Sequence, residues 1–243
     1  MPSKTFIGTA GWSIPRADHS RFPAGQSHLA RYAQVFPAVE INSTFHRPHR
    51  RSTFERWAAS VPRGFRFSVK LPRTITHDQR LARSSALLET FLAGLAPLGA
   101  RLGCLLVQLP PSLAFDARFT RAFFTALRKR FDGGVALEPR HVSWFEDRAA
   151  GLLNDFHIAR VAADPPRAAS DGDPGGWPGL AYFRLHGSPR IYYSSYEDDF
   201  ITALATKLRT LQRRRIPTWC IFDNTTLGAG TGNALSLKLR MER

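Results

Sequence analysis

Eight short apolar runs follow one another along the chain, and segments with helical spacing separate most of them. The runs span residues 6–10, 39–41, 65–71, 102–109, 135–137, 158–163, 180–185 and 218–222. After the first run, apolar residues recur at helical spacing at Leu29, Tyr32 and Phe36. Because strands that alternate with helices pair in parallel, the pattern predicts an α/β fold of the (β/α)8 TIM-barrel type.

The connection between the sixth and seventh runs departs from this pattern. Residues 164–179 begin with Asp-Pro-Pro and end with Gly-Gly-Trp-Pro-Gly, a composition that breaks helices. We therefore expect a barrel that lacks a regular helix between strands six and seven. The 243 residues are close to the roughly 250 typical of such barrels, so we expect a single domain over residues 1–243.

Composition narrows the class of protein. No apolar run approaches the roughly 20 residues of a membrane-spanning helix, and the first strand follows Met1 by only a few residues. We therefore expect no signal peptide, no membrane partner and a cytoplasmic location. Cys104 and Cys220 lie in separate predicted strands, where neither a disulfide nor a cysteine metal site is expected.

The chain is strongly basic, with 34 Lys and Arg against 19 Asp and Glu, for a formal charge of +15. Such a charge attracts polyanions, so nucleic acid is a possible partner. Only five of these cations are lysines, and an arginine excess of this kind is also produced by GC-rich codon usage. A solvated basic surface is the favoured interpretation, and nucleic-acid binding stays open.

Side chains alternate across a strand, so the apolar positions that face the helices define which polar residues face the barrel axis. These inward residues are Glu40, Asn42, Lys70, Gln108, Glu138, Arg140, Asp164, Arg184, His186 and Asn224. Most lie near the carboxyl ends of strands, where barrel enzymes build their active sites. A buried ion-pair network that only holds the strands in register is the structural alternative.

These residue types suggest acid–base chemistry on an anion. Arg140 and Arg184 have the fork geometry that clamps phosphate or carboxylate, and loss of either is expected to weaken ligand binding while the fold stays intact. Glu40 or Glu138 is the candidate general base, with His186 or His77 as the acid. The predicted catalytic residues are Glu40, Glu138, His186 and Lys70, and the predicted substrate-binding residues are Asn42, His77, Gln108, Arg140, Arg184 and Asn224.

Lys70 has two possible roles. A buried lysine with a lowered pKa attacks carbonyls, whereas a lysine held by Glu40 or Glu138 stays charged, and the ion pair is the favoured interpretation. A divalent metal is a possible cofactor because Glu40, Glu138, Asp164 and His186 offer ligands. The neighbouring cations disfavour a metal, and no closely spaced ligand motif appears, so no metal ligands are assigned.

Several motifs together resemble a known family. They include Gly8-Thr9-Ala10-Gly11-Trp12, Val39-Glu40-Ile41-Asn42-Ser43-Thr44-Phe45, Gln108-Leu109-Pro110, Glu138-Pro139-Arg140-His141 and Arg184-Leu185-His186-Gly187. The chain resembles the YecE-like proteins, defined as domain of unknown function number seventy-two. The resemblance implies a TIM barrel and no particular reaction. The chain departs from the family pattern at His46, where tyrosine is usual, and at Asp223, where an asparagine pair with Asn224 is usual.

The leading hypothesis is an enzyme with isomerase-like or hydrolase-like chemistry on a small anionic, sugar-like or phosphorylated substrate. One alternative is a barrel that binds nucleic acid or cleaves phosphodiesters, and the charge of +15 is the observation that supports it. A second is a non-catalytic protein that binds an anionic metabolite. Fold alone does not choose among them, and the sequence makes no prediction of oligomeric state.

Overall fold

The computed structural model describes residues 5–166 and 172–242. The strands of these residues are β1 Thr5–Thr9, β2 Ala38–Ile41, β3 Arg66–Lys70, β4 Leu102–Gln108, β5 Gly134–Glu138, β6 Ala159–Arg160, β7 Ala162–Asp164, β8 Gly175–Gly176, β9 Ala181–Leu185 and β10 Thr218–Phe222. The α-helices are α1 His28–Val35, α2 Arg51–Ala59, α3 Ser85–Leu95, α4 Ala117–Arg128, α5 Asp147–Asp155, α6 Asp198–Arg213 and α7 Ala229–Met241. The eight predicted strands are all present, with the sixth interrupted at Val161 to give β6 and β7.

The strands form two sheets. One has the order β1-β10-β9-β7 and the other β2-β3-β4-β5-β6-β8. All pairs are parallel except β6 with β8, which is antiparallel. The fold is therefore a mixed α/β fold built mainly on parallel strands, as the alternation of strands and helices predicts.

Backbone contacts connect the two sheets on both sides. Ala10, just after β1, forms an isolated parallel bridge with Glu40 of β2, and the Gly11 amide donates to the Glu40 carbonyl at 2.9 Å. On the other side, one continuous segment takes part in both sheets. Strand β6 pairs with β5, strand β7 pairs with β9, and only Val161 separates β6 from β7. Side chains on the inner faces of both sheets therefore share one space.

Two hydrophobic clusters lie on opposite faces of the strands. The larger one packs the outer strand faces against the helices, and it includes Val39, Phe67 and Val69 at alternate positions. The smaller one fills the inner space with residues such as Leu106 and Trp219. Both cysteines are buried and free.

The connection between β7 and β9 contains the short strand β8 and no helix in the part that the structure describes. Residues 167–171 of this predicted irregular loop, and residues 1–4 at the predicted start, lie outside the described residues. None of the described helices combines the length and apolarity required to cross a membrane.

The prediction that Asp164 faces the axis is wrong. Asp164 is in register with Leu185, and paired residues of a parallel sheet point to the same face. Leu185 belongs to the outer cluster. The Asp164 carboxylate instead accepts a hydrogen bond from the Tyr196 hydroxyl at 2.7 Å. Odd-numbered residues such as Val161 face inward on this segment, so residue 164 faces outward.

Candidate functional site at the carboxyl ends of the strands

Arg184 of β9 is the centre of a buried ion network. Its Nε and Nη2 donate to the Glu40 carboxylate at 3.1 and 2.8 Å, and its Nη1 donates to Glu138 Oε2 at 3.0 Å. Its Nη2 also lies 2.9 Å from Asp223 Oδ2. One guanidinium thus contacts three carboxylates, and its residue is only 1% exposed. These charges raise the pKa of Arg184 above its usual value despite its burial.

Glu138, the last residue of β5, is saturated with donors. Its Oε1 accepts from Gln108 Nε2 at 3.0 Å and from Arg140 Nη2 at 2.8 Å, and it lies 3.0 Å from His186 Nε2. Burial favours the neutral carboxyl, but the charges of Arg184 and His186 outweigh burial and hold the pKa of Glu138 well below its usual value. Glu138 is therefore an ionised, fully occupied carboxylate.

His186 bridges two carboxylates. Its Nε2 faces Glu138, and its Nδ1 lies 3.0 Å from Asp223 Oδ2. Burial alone would lower the pKa of His186, but the Glu138 charge and the hydrogen bonds to both carboxylates raise it. Although burial opposes ionisation of Asp223 too, Arg184 and His186 lower the pKa of its carboxyl. The geometry favours an imidazolium between two carboxylates.

Glu40 is the most enclosed of the carboxylates, with 0% exposure. Besides Arg184, its partner is the Tyr182 hydroxyl, which donates to Glu40 Oε2 at 2.9 Å. The Tyr182 oxygen also lies 2.9 Å from Ser68 Oγ on the other sheet. Glu40 is thus shut off from any molecule that enters from the carboxyl ends of the strands.

The local sequence explains why these groups meet. Tyr182, Arg184 and His186 occupy alternate positions on and just after β9, so all three face inward. Lys70 and Gln108 are the last residues of β3 and β4, as Glu138 is of β5. The carboxyl ends of neighbouring parallel strands lie side by side, which gathers their final side chains at one edge.

A cavity of about 430 Å³ opens beside this network. Its walls are formed by Asn42, Phe45, His46, Lys70, Arg73, His77, Gln108, Tyr192, Asp223, Thr225 and Thr226. The volume lies in the range of pockets that bind small molecules, about 300–1,000 Å³. Polar side chains from both sheets therefore converge on one cavity.

Lys70 differs from the other charged residues of the site. It is 6% exposed, and among the described residues it forms no ion pair. Its Nζ lies 4.1 Å from the centroid of the Phe45 ring. Burial, followed by the charge of Arg184, lowers the pKa of Lys70 to about 8. The favoured prediction that Glu40 or Glu138 would hold Lys70 in an ion pair is wrong, because arginine and histidine occupy those oxygens.

His77 and Asn42 complete the polar wall. His77 Nδ1 lies 2.9 Å from Thr76 Oγ1. Burial and the charge of Lys70 lower the pKa of His77, so its imidazole is neutral near pH 7. Asn42 Oδ1 is buried, and no hydrogen-bond donor of the described residues reaches it. An unsatisfied buried acceptor at a cavity wall is a position that a ligand donor can fill.

The structure brings nine of the ten predicted site residues together. Glu40, Gln108, Glu138, Arg140, Arg184 and His186 form the network, and Asn42, Lys70 and His77 line the cavity with Gln108. Asn224 lies apart: its Nδ2 donates to the Ser194 carbonyl at 2.8 Å and to Asn233 Oδ1 at 2.9 Å, which joins a loop to α7.

Asp223 and Tyr182 are network members that the sequence prediction left out of the candidate list. Both follow from side-chain alternation. Trp219 and Ile221 belong to the inner cluster, so the next inward position after β10 is residue 223 rather than residue 224. Tyr182 precedes Arg184 by two residues on the same face.

A larger cavity, of about 530 Å³, lies at the opposite ends of the strands. Its walls include Phe6, Trp219 and Arg128. The Arg128 guanidinium is occupied, since it donates to the backbone carbonyls of Phe156 and Gly133 at 2.9 and 2.8 Å. Because polar groups converge on the smaller cavity, we assign the candidate site there.

The donor set does not favour a metal. Within residues 5–166 and 172–242, no group of three or more His, Cys, Asp or Glu side chains has the arrangement of a metal site. The three buried carboxylates face Arg184 instead, whose guanidinium would repel a divalent ion.

The fold and the site define a mixed α/β protein with a buried arginine–carboxylate network at the carboxyl ends of its parallel strands. The family model described as "Protein of unknown function DUF72" matches residues 6–243. The chain belongs to this family, which confirms the resemblance seen in the sequence.

Relatives and solved structures agree with this assignment. The chain is 33% identical over 143 residues to UPF0759 protein YecE of Escherichia coli K12, which covers 58% of this chain and 50% of that protein. It is 28% identical over 148 residues to UPF0759 protein YunF of Bacillus subtilis 168, covering 58% of this chain and 52% of that protein. The chain thus spans about half the length of the relatives it matches.

Two crystal structures of DUF72 family proteins share the fold. The protein from Enterococcus faecalis V583 has a TM-score of 0.82 at 21% identity and covers 99% of this chain and 96% of its own. The protein from Thermotoga maritima MSB8 has a TM-score of 0.80 at 26% identity and covers 98% of this chain and 99% of its own.

Proposed function

We propose that this protein is an enzyme that binds a small anionic, sugar-like or phosphorylated substrate in the cavity at the carboxyl ends of its strands. The observation that carries the proposal is Lys70, a buried cation on the cavity wall with no ion-pair partner among the described residues. Burying such a charge is unfavourable unless another group compensates for it. A bound anion would supply that compensation.

The charges around the cavity support an anionic ligand. Glu40, Glu138 and Asp223 face two guanidiniums and one imidazole that the carboxylates hold protonated. These six groups balance one another. Lys70 is then an excess positive charge. The exposed Arg73 at the cavity mouth is a further cation, and Asp78 pairs with it at 3.2 Å.

The geometry also redistributes the predicted roles. Glu40 and Glu138 have donors on both oxygens, so we assign them to positioning Arg184, Arg140 and His186 rather than to proton transfer. We assign proton transfer to His77, because its imidazole lines the cavity and is neutral near pH 7. Asn42 and Gln108 are then substrate-binding amides on the same wall.

We also infer that the two sheets are arcs of one closed eight-stranded barrel. The bridge between Ala10 and Glu40 supports closure on one side. The continuous segment 159–164, which pairs with both sheets, supports it on the other. The hydrogen bond between Ser68 and Tyr182 crosses the shared interior. In such a barrel, the cavity lies where barrel enzymes place their active sites.

Calorimetric titration of the protein with inorganic phosphate and with ribose 5-phosphate tests the proposed function. Lys70→Met is expected to weaken binding at least tenfold, and Arg73→Gln several-fold. Arg213→Gln is the matched control, because Arg213 is an exposed arginine at the far end of α6 and its loss should leave binding unchanged. Equal binding by the wild type and Lys70→Met would refute anion binding at this cavity.

Nucleic-acid binding is the second candidate, and one observation favours it. Six exposed arginines lie on the segments that follow β2 and β3: Arg47, Arg50, Arg51, Arg73, Arg80 and Arg83. A phosphate backbone along this face would release counterions, so affinity should fall by orders of magnitude between about 50 and 200 mM salt. Binding to a labelled oligonucleotide that is absent or insensitive to salt would remove this candidate.

A further inference from the structure

Lys70 stands out among the lysines of the described residues. Lys207 pairs with Asp173 at 2.8 Å, and Lys238 pairs with Glu242. Lys129 has no ion pair among the described residues, but it is exposed to solvent. Lys70 alone is both buried and without an ion pair in the part of the chain that the structure describes.

Resting on the proposed function, we propose that Lys70 is a catalytic nucleophile that forms an imine with the carbonyl group of a small anionic aldehyde or ketone. The Nζ atom lies against the Phe45 ring and faces a cavity into which Asn42, His77 and Gln108 also project. The amine therefore has an apolar side and a polar side from which a carbonyl compound can approach. A lysine in a desolvated pocket next to another cation is an arrangement that activates amines.

The surrounding charges support a reactive amine. Burial and the charge of Arg184 lower the pKa of Lys70, whereas Glu40, Glu138 and Asp223 raise it. Those carboxylates already bind guanidiniums and an imidazole, so their effect on Lys70 is weaker than burial. The resulting pKa of about 8 leaves a useful fraction of neutral amine near pH 7.

The step balances without an oxidant or a reductant. The neutral Lys70 amine attacks the carbonyl carbon, which forms a C–N bond as the C=O π electrons move to oxygen. Both amine hydrogens are transferred to that oxygen, which leaves as water while the nitrogen lone pair forms the C=N bond. Protonation of the imine uses one proton from solvent and restores the positive charge of Lys70.

The cavity also limits the substrate. Its volume of about 430 Å³ admits a compound of a few carbons with one phosphate or carboxylate group. Arg73 at the mouth is placed to bind that group, while the carbonyl reaches Lys70 deeper inside. An aldehyde or ketone without an anionic group would lack this attraction.

Reductive alkylation of the native protein tests the proposal directly. The protein is treated at pH 7 with cyanoborohydride and either formaldehyde or glyoxylate, and peptide mass spectrometry measures the rate at each lysine. Formaldehyde is small and neutral, so it reports the reactivity of the amine alone. Glyoxylate carries a carboxylate, so it reports anion recognition as well. Lys129 is the internal reference in both reactions.

We expect Lys70 to react with formaldehyde at least tenfold faster than Lys129, and glyoxylate to increase this ratio further. Lys70→Arg should abolish the adduct at residue 70 yet retain phosphate binding, because arginine keeps the charge and forms no imine here. Lys129→Arg should change neither the rate of adduct formation at Lys70 nor the binding of phosphate. Lys70 reacting no faster than Lys129 with formaldehyde would overturn the imine proposal.

The two proposals fail in distinguishable ways. Phosphate binding that depends on Lys70, without fast alkylation of Lys70, would leave the anion-binding function standing and refute the nucleophile. Fast alkylation by formaldehyde, with neither preference for glyoxylate nor phosphate binding, would retain the reactive amine and refute recognition of an anionic substrate.

Discussion

Replacing Arg184 with methionine should destabilise the protein strongly. The side chain is buried, and its guanidinium is the charged partner of Glu40, Glu138 and Asp223. Methionine fills a similar volume but donates no hydrogen bond. Glu40 would retain the Tyr182 hydroxyl as its donor and lose its ion pair. These contacts lead us to expect destabilisation, the opposite of the sequence-based expectation that the fold tolerates the loss of Arg184.

The magnitude follows from the burial of the carboxylates. Removing one partner of a buried ion pair costs about 3–5 kcal/mol, because the other charge is left without compensation. For a chain of this length, each kcal/mol lowers the melting temperature by about 2–4 °C, so a fall of about 6–20 °C is expected. Urea denaturation monitored by circular dichroism measures the free energy of unfolding, with Arg213→Gln as the exposed control.

A second variant separates lost charge compensation from lost packing. If the unpaired Glu40 carboxylate causes the instability, adding Glu40→Gln to Arg184→Met should recover about 1–3 kcal/mol, a coupling typical of residues in one network. Arg140→Met should cost less than Arg184→Met, because Arg140 is partly exposed and contacts one carboxylate. A loss below about 1 kcal/mol for Arg184→Met would refute the view that the network stabilises the fold.

Three further outcomes are expected. Lys70→Met should raise the free energy of unfolding at pH 7 by about 1–3 kcal/mol, since a buried charge is removed. Because folding lowers the Lys70 pKa from 10.5 to about 8, wild-type stability relative to Lys70→Met should rise between those pH values, as pH-dependent urea melts would show. Folding raises the His186 pKa, so the contribution of His186 to the free energy of unfolding is complete below about pH 6.5 and is lost as pH rises through the folded pKa. The His186→Gln variant should lack this pH dependence in the same urea melts. Glu138→Gln should weaken binding of ribose 5-phosphate through misplaced Gln108, which lines the cavity and donates to Glu138 Oε1, whereas unaltered affinity would argue against a positioning role.

Much of the fold could be predicted because hydrophobic periodicity reports directly on burial. The alternation of Val39 and Ile41 on one strand and of Phe67 and Val69 on the next indicates which faces pack against helices, and the structure confirms these positions. Helix α5 was not predicted from the sequence, since its apolar stripe is short. The interruption at Val161 and the two-residue strand β8 were also not predicted, because the pairing partners of such short segments are set by tertiary contacts.

The sequence predicts which side chains point into the site, but it does not predict which of them form ion pairs with one another. Alternation places Glu40, Lys70, Glu138 and Arg184 inside, and the structure confirms that they meet. The length of each side chain and its number of donors decide which cation binds which carboxylate. A guanidinium with five donors outcompetes an ammonium for the three carboxylates. That competition leaves Lys70 without an ion pair among the described residues, which periodicity does not reveal.

Asp223 links the charge balance of the network to the reactivity of Lys70. An asparagine at this position would leave two carboxylates for Arg140, Arg184 and a protonated His186. The third carboxylate in this chain restores neutrality and stabilises the imidazolium through the contact with His186 Nδ1 at 3.0 Å. The same charge raises the pKa of Lys70 towards its usual value. The residue at position 223 therefore adjusts the fraction of neutral amine at Lys70 from across the cavity, without any direct ion pair between the two side chains.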